Sequence, residues 1–388
     1  MLSFLDRPIL GRGFRPFFVL GALYSVINLL IWGGVYMGYS FAPDFMLNPM
    51  SWHAHEMIYG FTMAIVAGFL LTAVANWTGG APVRHAQLLV LAILWIAGRL
   101  VMNVDLGISV FSALIIENAF IPALAVSLAV PLLRSWNKRN FVFLALLATL
   151  FACNVCFMLT QQHTPLYIAI MVVITMISLI GGRIIPAFTV AALRRRGEIA
   201  HQASLRKLDA MALASLVIIM LVIIANGLQG LPLSVVAFAS AVIHMLRLRA
   251  YHTRRILNDP MVWILHVGYG WVIVGLVLLA LSALNIVSFS IVLHSFTVGA
   301  IGSMTIGMMC RVALGHTGRA LIANRATTIS FILMQAAAII RIVFPLMVPE
   351  YTFLLVGVSA LLWAMCFSIY LFVYVPILFK PRPDGYPA

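Results

Sequence analysis

The chain has 388 residues, 63% of them hydrophobic and 9% charged, with a mean hydropathy of +1.09. Soluble globular proteins carry about 25% charged residues, so this composition excludes a soluble enzyme and predicts an all-α, polytopic integral membrane protein. The net charge of +14 is then expected on loops facing one side of a bilayer, not on a nucleic-acid-binding surface.

The opening "MLSFLDRPILGRGFRPFF" is too polar and too rich in arginine to read as a cleaved signal peptide. Beyond it, apolar runs long enough for a hydrocarbon core of ~30 Å predict twelve spans. They lie at roughly 17–38, 52–76, 88–104, 109–133, 140–160, 166–191, 209–227, 231–250, 261–284, 287–312, 326–346 and 351–377. The connections are short and no internal repeat is evident, so residues 1–388 read as one transmembrane domain. All but three of the 24 lysines and arginines fall before span one, in the even-numbered connections or in the tail. That bias puts both termini in the cytoplasm. The exceptions are Arg99, Arg183 and Arg341, each inside a span, where an ionisable group marks a functional site and calls for a partner. Arg99 has two open readings, a structural pair with Glu117 in span four or a bidentate clamp on an anionic cofactor.

Span two opens "SWHAHEMIYGF". His53 and His55 sit two residues apart, about 200° around a regular helix. They are therefore expected to serve different centres on opposite sides of the span, or to share one if the first turn is irregular, with Glu56 on the His53 face as an orienting carboxylate or proton carrier. The alternative is a Ser51 N-cap with Glu56 balancing the helix dipole. In span five "CNVC" places Cys153 and Cys156 on one face, which reads as packing rather than a metal site. His85, His201, His252 and His163 fall in predicted loops. The other six divide by depth: His53, His55 and His294 in the outer half, His244, His266 and His316 toward the inner side, with span ten breaking near Gly315. Imidazole is the usual axial ligand of haem and a common ligand of copper and iron, so metal or haem binding is expected of the outer set. Gly299, Ser303 and Gly307 form a small-residue stripe on span ten, suited to helix packing or to close approach of a flat macrocycle.

The segments "SWHAHEM…GFLLTAVANWTG", "GGRIIPAFT", "PMVWILHVGYGW" and "LHSFTVGAIGSMTIGMMCRVALGHTGR", with the "GRGFRPFF" opening, closely resemble the NnrS proteins over essentially the whole chain. The resemblance implies a multi-pass protein of the bacterial inner membrane that contains haem b and copper and acts in nitric oxide metabolism and protection from nitrosative stress. The family motifs fall on His53, His55, Glu56, Arg183, His266, Tyr269, His294, Arg311, His316 and Arg319, with His244 a weaker transfer. By analogy with haem–copper oxidases, where an HxH pair on one helix holds two haems, His53, His55 and His294 are expected as axial ligands. Arg99 or Arg341 would neutralise propionates, while His244, His266 and His316 would form an inner copper or second haem site near Arg183.

The leading reading is a redox or ligand-binding protein for nitric oxide, a small apolar gas that enters from the lipid. It would bind NO at a haem and reduce it to N2O, with Glu56, Glu117 and Tyr269 as proton donors. No flavin, nicotinamide or CxxCH motif is present in the sequence, so electrons would come from quinol or a donor protein. The alternative is a transporter or chaperone of haem, copper or a nitrosylated species, since intramembrane Arg, Glu and His also mark substrate paths. A third reading is a sensor or assembly factor without turnover.

Overall fold

The structure, a computed structural model, describes residues 4–38, 47–202 and 204–385. It is helical, with no strand among the described residues. Among the described residues, twelve helices are long and apolar enough to cross a membrane: Phe14–Tyr36, Pro49–Thr78, His85–Asn103, Val110–Arg134, Lys138–Thr160, Thr164–Arg195, Arg206–Asn226, Leu231–Arg249, Pro260–Ala283, Phe289–His316, Arg325–Met347 and Pro349–Phe379. They are numbered here as spans one to twelve, and each overlaps its predicted counterpart. Backbone polar groups have no water to bond inside a bilayer, so helices satisfy them internally while large apolar side chains such as Phe372 (83% exposed) and Leu159 (69%) remain outward.

The chain forms two compact units. The first comprises Met1–Ala169, Met309–Leu321 and Trp363–Ala388, the second Ile170–Met308 and Ile322–Leu362. Span two is not a uniform α-helix. Asn48, rather than Ser51, caps it by accepting a bond from Ser51 N at 2.9 Å, and Pro49 occupies the first turn, where its missing N–H costs nothing. The α-helix ends at His55 and a π-helical segment, Glu56–Thr62, follows. Span ten repeats the plan: α-helix to His294, π-helix Ser295–Gly302, then α-helix to His316. It ends at His316, next to Gly315, as expected. Its reversal comes at Gly318, in the left-handed region at φ +71, as Gly79 at φ +65 ends span two.

The correspondence extends to packing, and it exposes an internal repeat that the sequence had concealed. In the first unit Gly60 lies against Tyr24, and Gly68 against Phe17 and Phe18 of span one. In the second, Gly299 lies against Trp271, and Gly307 against Ile264 and Leu265 of span nine. Reciprocally, Gly21 meets Ala64 and Ile65, while Gly268 meets Ser303 and Met304. A Cβ on Gly60 would stand 2.5 Å from the Tyr24 ring, and one on Gly299 2.7 Å from Trp271. Glycine at these places is what lets two helices touch. Spans one and two are thus built like spans nine and ten, residue for residue at the contact.

Candidate functional site

Each unit buries a polar cluster among apolar helices. In the first, Glu56 opens the π segment and is fully buried. Its Oε1 accepts from Arg99 Nη1 at 2.9 Å and from His55 Nδ1 at 2.8 Å. Its Oε2 accepts from Asn103 Nδ2 at 3.0 Å and from the Tyr24 hydroxyl in a short hydrogen bond. Arg99 turns its other nitrogen, Nη2, to Glu117 in a short ion pair. His55 Nε2 lies 2.9 Å from Asn154 Oδ1 and 3.5 Å from Glu117 Oε1, and Asn154 in turn donates to Asn118 at 3.1 Å. Arg99 therefore has the Glu117 partner that one of its readings required, and Glu56 besides. Two carboxylates thus face one guanidinium, with His55 hydrogen-bonded to one of them. A cavity of about 10 Å³, lined by Tyr59, Trp95, Gly98, Arg99 and Glu117 among others, adjoins the cluster and has room for about one water.

His53 lies apart from this cluster, half-buried and stacked on Trp32 at 4.3 Å with the rings 10° from parallel. His53 and His55 face apart as helical geometry predicts, but Glu56 bonds to His55 and not to His53, on whose face it was expected. Cys153 is buried and Cys156 exposed on span five, both as free thiols.

In the second unit, His294 Nδ1 donates to the Ser290 carbonyl at 2.6 Å. That bond fixes the tautomer and places the ring's lone pair on Nε2, the usual arrangement of a ligating histidine. Arg341 Nη2 donates to the hydroxyl of the same Ser290 at 3.2 Å. One serine thus joins two residues that the sequence could not place together.

Farther along, Arg247 is almost wholly buried. It donates to Asp209 at 2.7 Å, to the Ser178 hydroxyl at 2.8 Å and to the Tyr269 hydroxyl at 2.7 Å. The positive-inside count placed Arg247 among loop cations. The structure corrects this: it lies in the last turn of span eight, one turn from His244 and on the same face. His244 donates from Nδ1 to the Ser240 carbonyl at 2.9 Å and meets Ser178 Oγ at 3.1 Å. His266 lies between Thr189 Oγ1 at 2.8 Å and Thr253 Oγ1 at 2.9 Å. Arg183 is half-buried in span six. His316 belongs to the first unit, its ring 5.7 Å from that of Phe14. Among the described residues, no group of three or more His, Cys, Asp or Glu side chains stands close enough to hold a metal ion. His244, His266 and His316 therefore do not form a prepared three-ligand centre. Tyr24, Asn103, Asn118, Asn154 and Asp209 escaped the sequence reading. For all but Asp209, a carboxylate at the basic start of span seven, the available signal was an amide or phenol inside an apolar run, weaker than a charge.

Twelve helices long and apolar enough to cross a membrane, with ion pairs and imidazoles enclosed among them, define a polytopic membrane protein. The model of the NnrS protein family matches residues 8–382, nearly the whole chain, and the protein belongs to that family. No curated protein sequence matches it.

Proposed function

We propose that the protein binds haem b through His294 and acts on nitric oxide within the bacterial inner membrane, its termini in the cytoplasm. Family membership is consistent with a role in nitric oxide metabolism. The observation that carries the haem reading is the Ser290 junction: an imidazole oriented by a backbone carbonyl, with the Arg341 guanidinium bonded to the same residue. Imidazole Nε2 suits haem iron, and Arg341 suits a propionate. A π-helical segment immediately after the ligand supports it, since such segments cluster at functional sites.

The donor set fits haem unevenly. His294 fits. His53, stacked on Trp32, offers a second half-buried imidazole. His55 would have to leave Asn154 to ligate through Nε2, and Arg99, held by both Glu56 and Glu117, is not placed for a propionate. A copper ion finds no three-ligand site among the described residues, and no step is assigned to one.

Haem, held by His294 with Arg341 beside a propionate, would supply an iron able to bind NO. The protein's own residues do the rest. Coupling two NO to N2O and water consumes two electrons and two protons. The Glu56–His55–Glu117 cluster holds an exchangeable proton in the apolar interior and is the proton reservoir of this reading, with Tyr24 and Asn103 continuing the hydrogen-bonded chain beyond Glu56. Tyr269, bonded to Arg247, is its counterpart in the second unit. Electrons come from quinol or a donor protein.

The test is an absorption spectrum of detergent-purified protein, reduced with dithionite, before and after anaerobic NO, with metal analysis on the same sample. A b-type spectrum that shifts with NO is expected. His294→Ala should abolish it, and His244→Ala, whose ring is satisfied by Ser178 and Ser240, should retain it. Wild-type haem content in His294→Ala, or a colourless native protein, would overturn the assignment.

A further inference from the structure

The first unit contains a second charged cluster that plays no part in the haem reading. Arg12 and Arg15 come from the "GRGFRPFF" opening, Arg319 from the turn after span ten and Arg382 from the tail. Arg15 is fully buried. Its Nη1 donates to the carbonyls of Leu378 at 2.6 Å and Lys380 at 2.9 Å, while its Nε and Nη2 have no hydrogen-bond partner among the described residues. Those two nitrogens form one edge of the guanidinium, the fork that grips an oxyanion bidentately. The charges of Arg319, Arg12 and Arg382 all act on Arg15. Arg12 also buries an unpartnered Nε, and burial, then the Arg382 charge, holds its pKa below the usual arginine value.

Counter-charge is scarce. Asp384 is engaged by Arg382 at 2.9 Å through Nε, and packs on Gly318. Arg12, Arg15 and Arg319 make no ion pair among the described residues. A positive-inside bias accounts for cations on a surface, but not for a buried guanidinium with one edge empty among like charges. Such a group costs several kcal/mol unless something compensates it. The cluster also stands at the N-terminus of span one, a 23-residue helix with no side-chain cap. The positive end of the helix dipole is there, so cations are disfavoured and an anion favoured.

We infer that Arg12, Arg15 and Arg319 form a binding site for a phosphate-bearing anion, either free phosphate or the headgroup of an anionic phospholipid. A single carboxylate would answer one of the three guanidiniums. A phosphate group carries up to two charges and three acceptor oxygens, matching several guanidiniums whose charges act on one another. The turn that supplies Arg319 is held in place from the tail, because Arg382 donates to the His316 carbonyl at 3.2 Å. Arg319 itself donates to the Thr317 carbonyl at 3.1 Å.

The test uses full-length protein purified in neutral detergent. Thermal unfolding is followed against inorganic phosphate, with chloride at matched ionic strength as control. For free phosphate, the expected result is a saturable rise in Tm of a few degrees, absent with chloride. It should be lost in Arg12→Gln and Arg319→Gln, both half-exposed positions that should fold, and shifted to roughly tenfold higher phosphate in Arg15→Lys, which keeps the charge without the fork. For a lipid headgroup, phosphate is without effect on the protein as purified. Phosphatidylglycerol is then retained in native mass spectra of the wild type and lost from the Arg12→Gln/Arg319→Gln double variant. No phosphate-specific shift together with no arginine-dependent bound lipid overturns the inference. So does a phosphate shift that is equal in wild type and variants.

Discussion

Gly182→Ala should be among the most destabilising single-methyl additions in this protein. A Cβ at that position falls on the Arg247 guanidinium, with the Arg247 Cζ only 2.8 Å away. A flexible arginine on a surface would swing aside at little cost. Arg247 is instead tied to Asp209, Ser178 and Tyr269 by bonds of 2.7–2.8 Å. Moving it breaks at least one hydrogen bond to a charged group, worth about 1.5–3 kcal/mol. If the buried charge is left uncompensated, the cost approaches about 3–5 kcal/mol. Gly270 is the internal control. It lies in a helix with nothing within 4 Å of its would-be Cβ, so Gly270→Ala should stabilise by about 0.5–1 kcal/mol through helix propensity. Thermal midpoints in one detergent would therefore move in opposite directions. A double-mutant cycle with Arg247→Met isolates the cause, since the Gly182→Ala penalty should largely vanish once the guanidinium is gone. A Gly182→Ala protein as stable as wild type, or a penalty unchanged in the Arg247→Met background, would refute the claim that Arg247 is pinned.

Glu56→Gln keeps the side-chain shape but removes the charge facing Arg99 and His55. Because Arg99 retains Glu117, the expected loss is about 1.5–3 kcal/mol, read as a lowered midpoint in denaturant. Arg341→Gln and Arg99→Gln should separate the two arginines. The first should weaken haem retention roughly tenfold, the equivalent of about 1.4 kcal/mol, with stability within about 0.5 kcal/mol of wild type. The second should cost about 3–5 kcal/mol of stability as a broken buried pair; the haem-to-protein ratio and the melting midpoint, measured on the same samples, decide. Tyr251, between spans eight and nine, is buried, and burial pushes its phenol above the usual tyrosine value against the opposing charge of Arg247. A raised folded-state pKa means that its contribution is complete below the unfolded value of about 10 and is lost as pH rises through the folded one. Stability should fall above pH ~10 in wild type, and less so in Tyr251→Phe. Identical alkaline limbs in melts at successive pH would count against it.

The spans were legible because hydrocarbon thickness imposes a length and a composition that few other constraints contradict. The opposite facing of His53 and His55 followed from helical geometry alone, since both precede the π segment. Glu117 could be paired with Arg99 because charges stand out in apolar runs. Arg247 was misplaced because a cation in the last turn of a span looks the same whether it leaves the membrane or turns inward. What turns it inward is Asp209, on a different helix. Asn154, Asn103 and Tyr24 were missed for a similar reason, as neutral polar side chains that acquire a role only when folding brings Glu56 and His55 to them. The repeat was concealed because packing constrains so few positions. Aligned on His55 and His294, spans two and ten share the histidine, Gly60 with Gly299, Gly68 with Gly307, Thr78 with Thr317 and Gly79 with Gly318, and little else. Helix contact requires small residues at two places and a turn requires a left-handed glycine. Lipid-facing positions accept any large apolar side chain.

That repeat bears on why two equivalent histidines differ in chemistry. His55 and His294 hold the same place, the last α-helical residue before a π segment. The next residue is Glu56 in one case and Ser295 in the other. Glu56 brings Arg99, Tyr24 and Asn103 with it, and both His55 ring nitrogens end in hydrogen bonds within a buried cluster. Ser295 carries no charge. Its hydroxyl donates to the Trp271 carbonyl at 3.3 Å, and the His294 Nδ1 donates to the Ser290 carbonyl at 2.6 Å. The residue after the histidine thus separates a ring absorbed into an ion network from a ring whose lone pair is directed by a backbone carbonyl. Ser295→Glu should push His294 toward the first state. On the haem reading, that substitution lowers haem content without touching the ligand. Glu56→Ser, the reverse exchange, leaves haem at His294 unchanged because that residue lies in the other unit. Haem content that is indifferent to Ser295→Glu would mean that His294 owes its character to Ser290 alone.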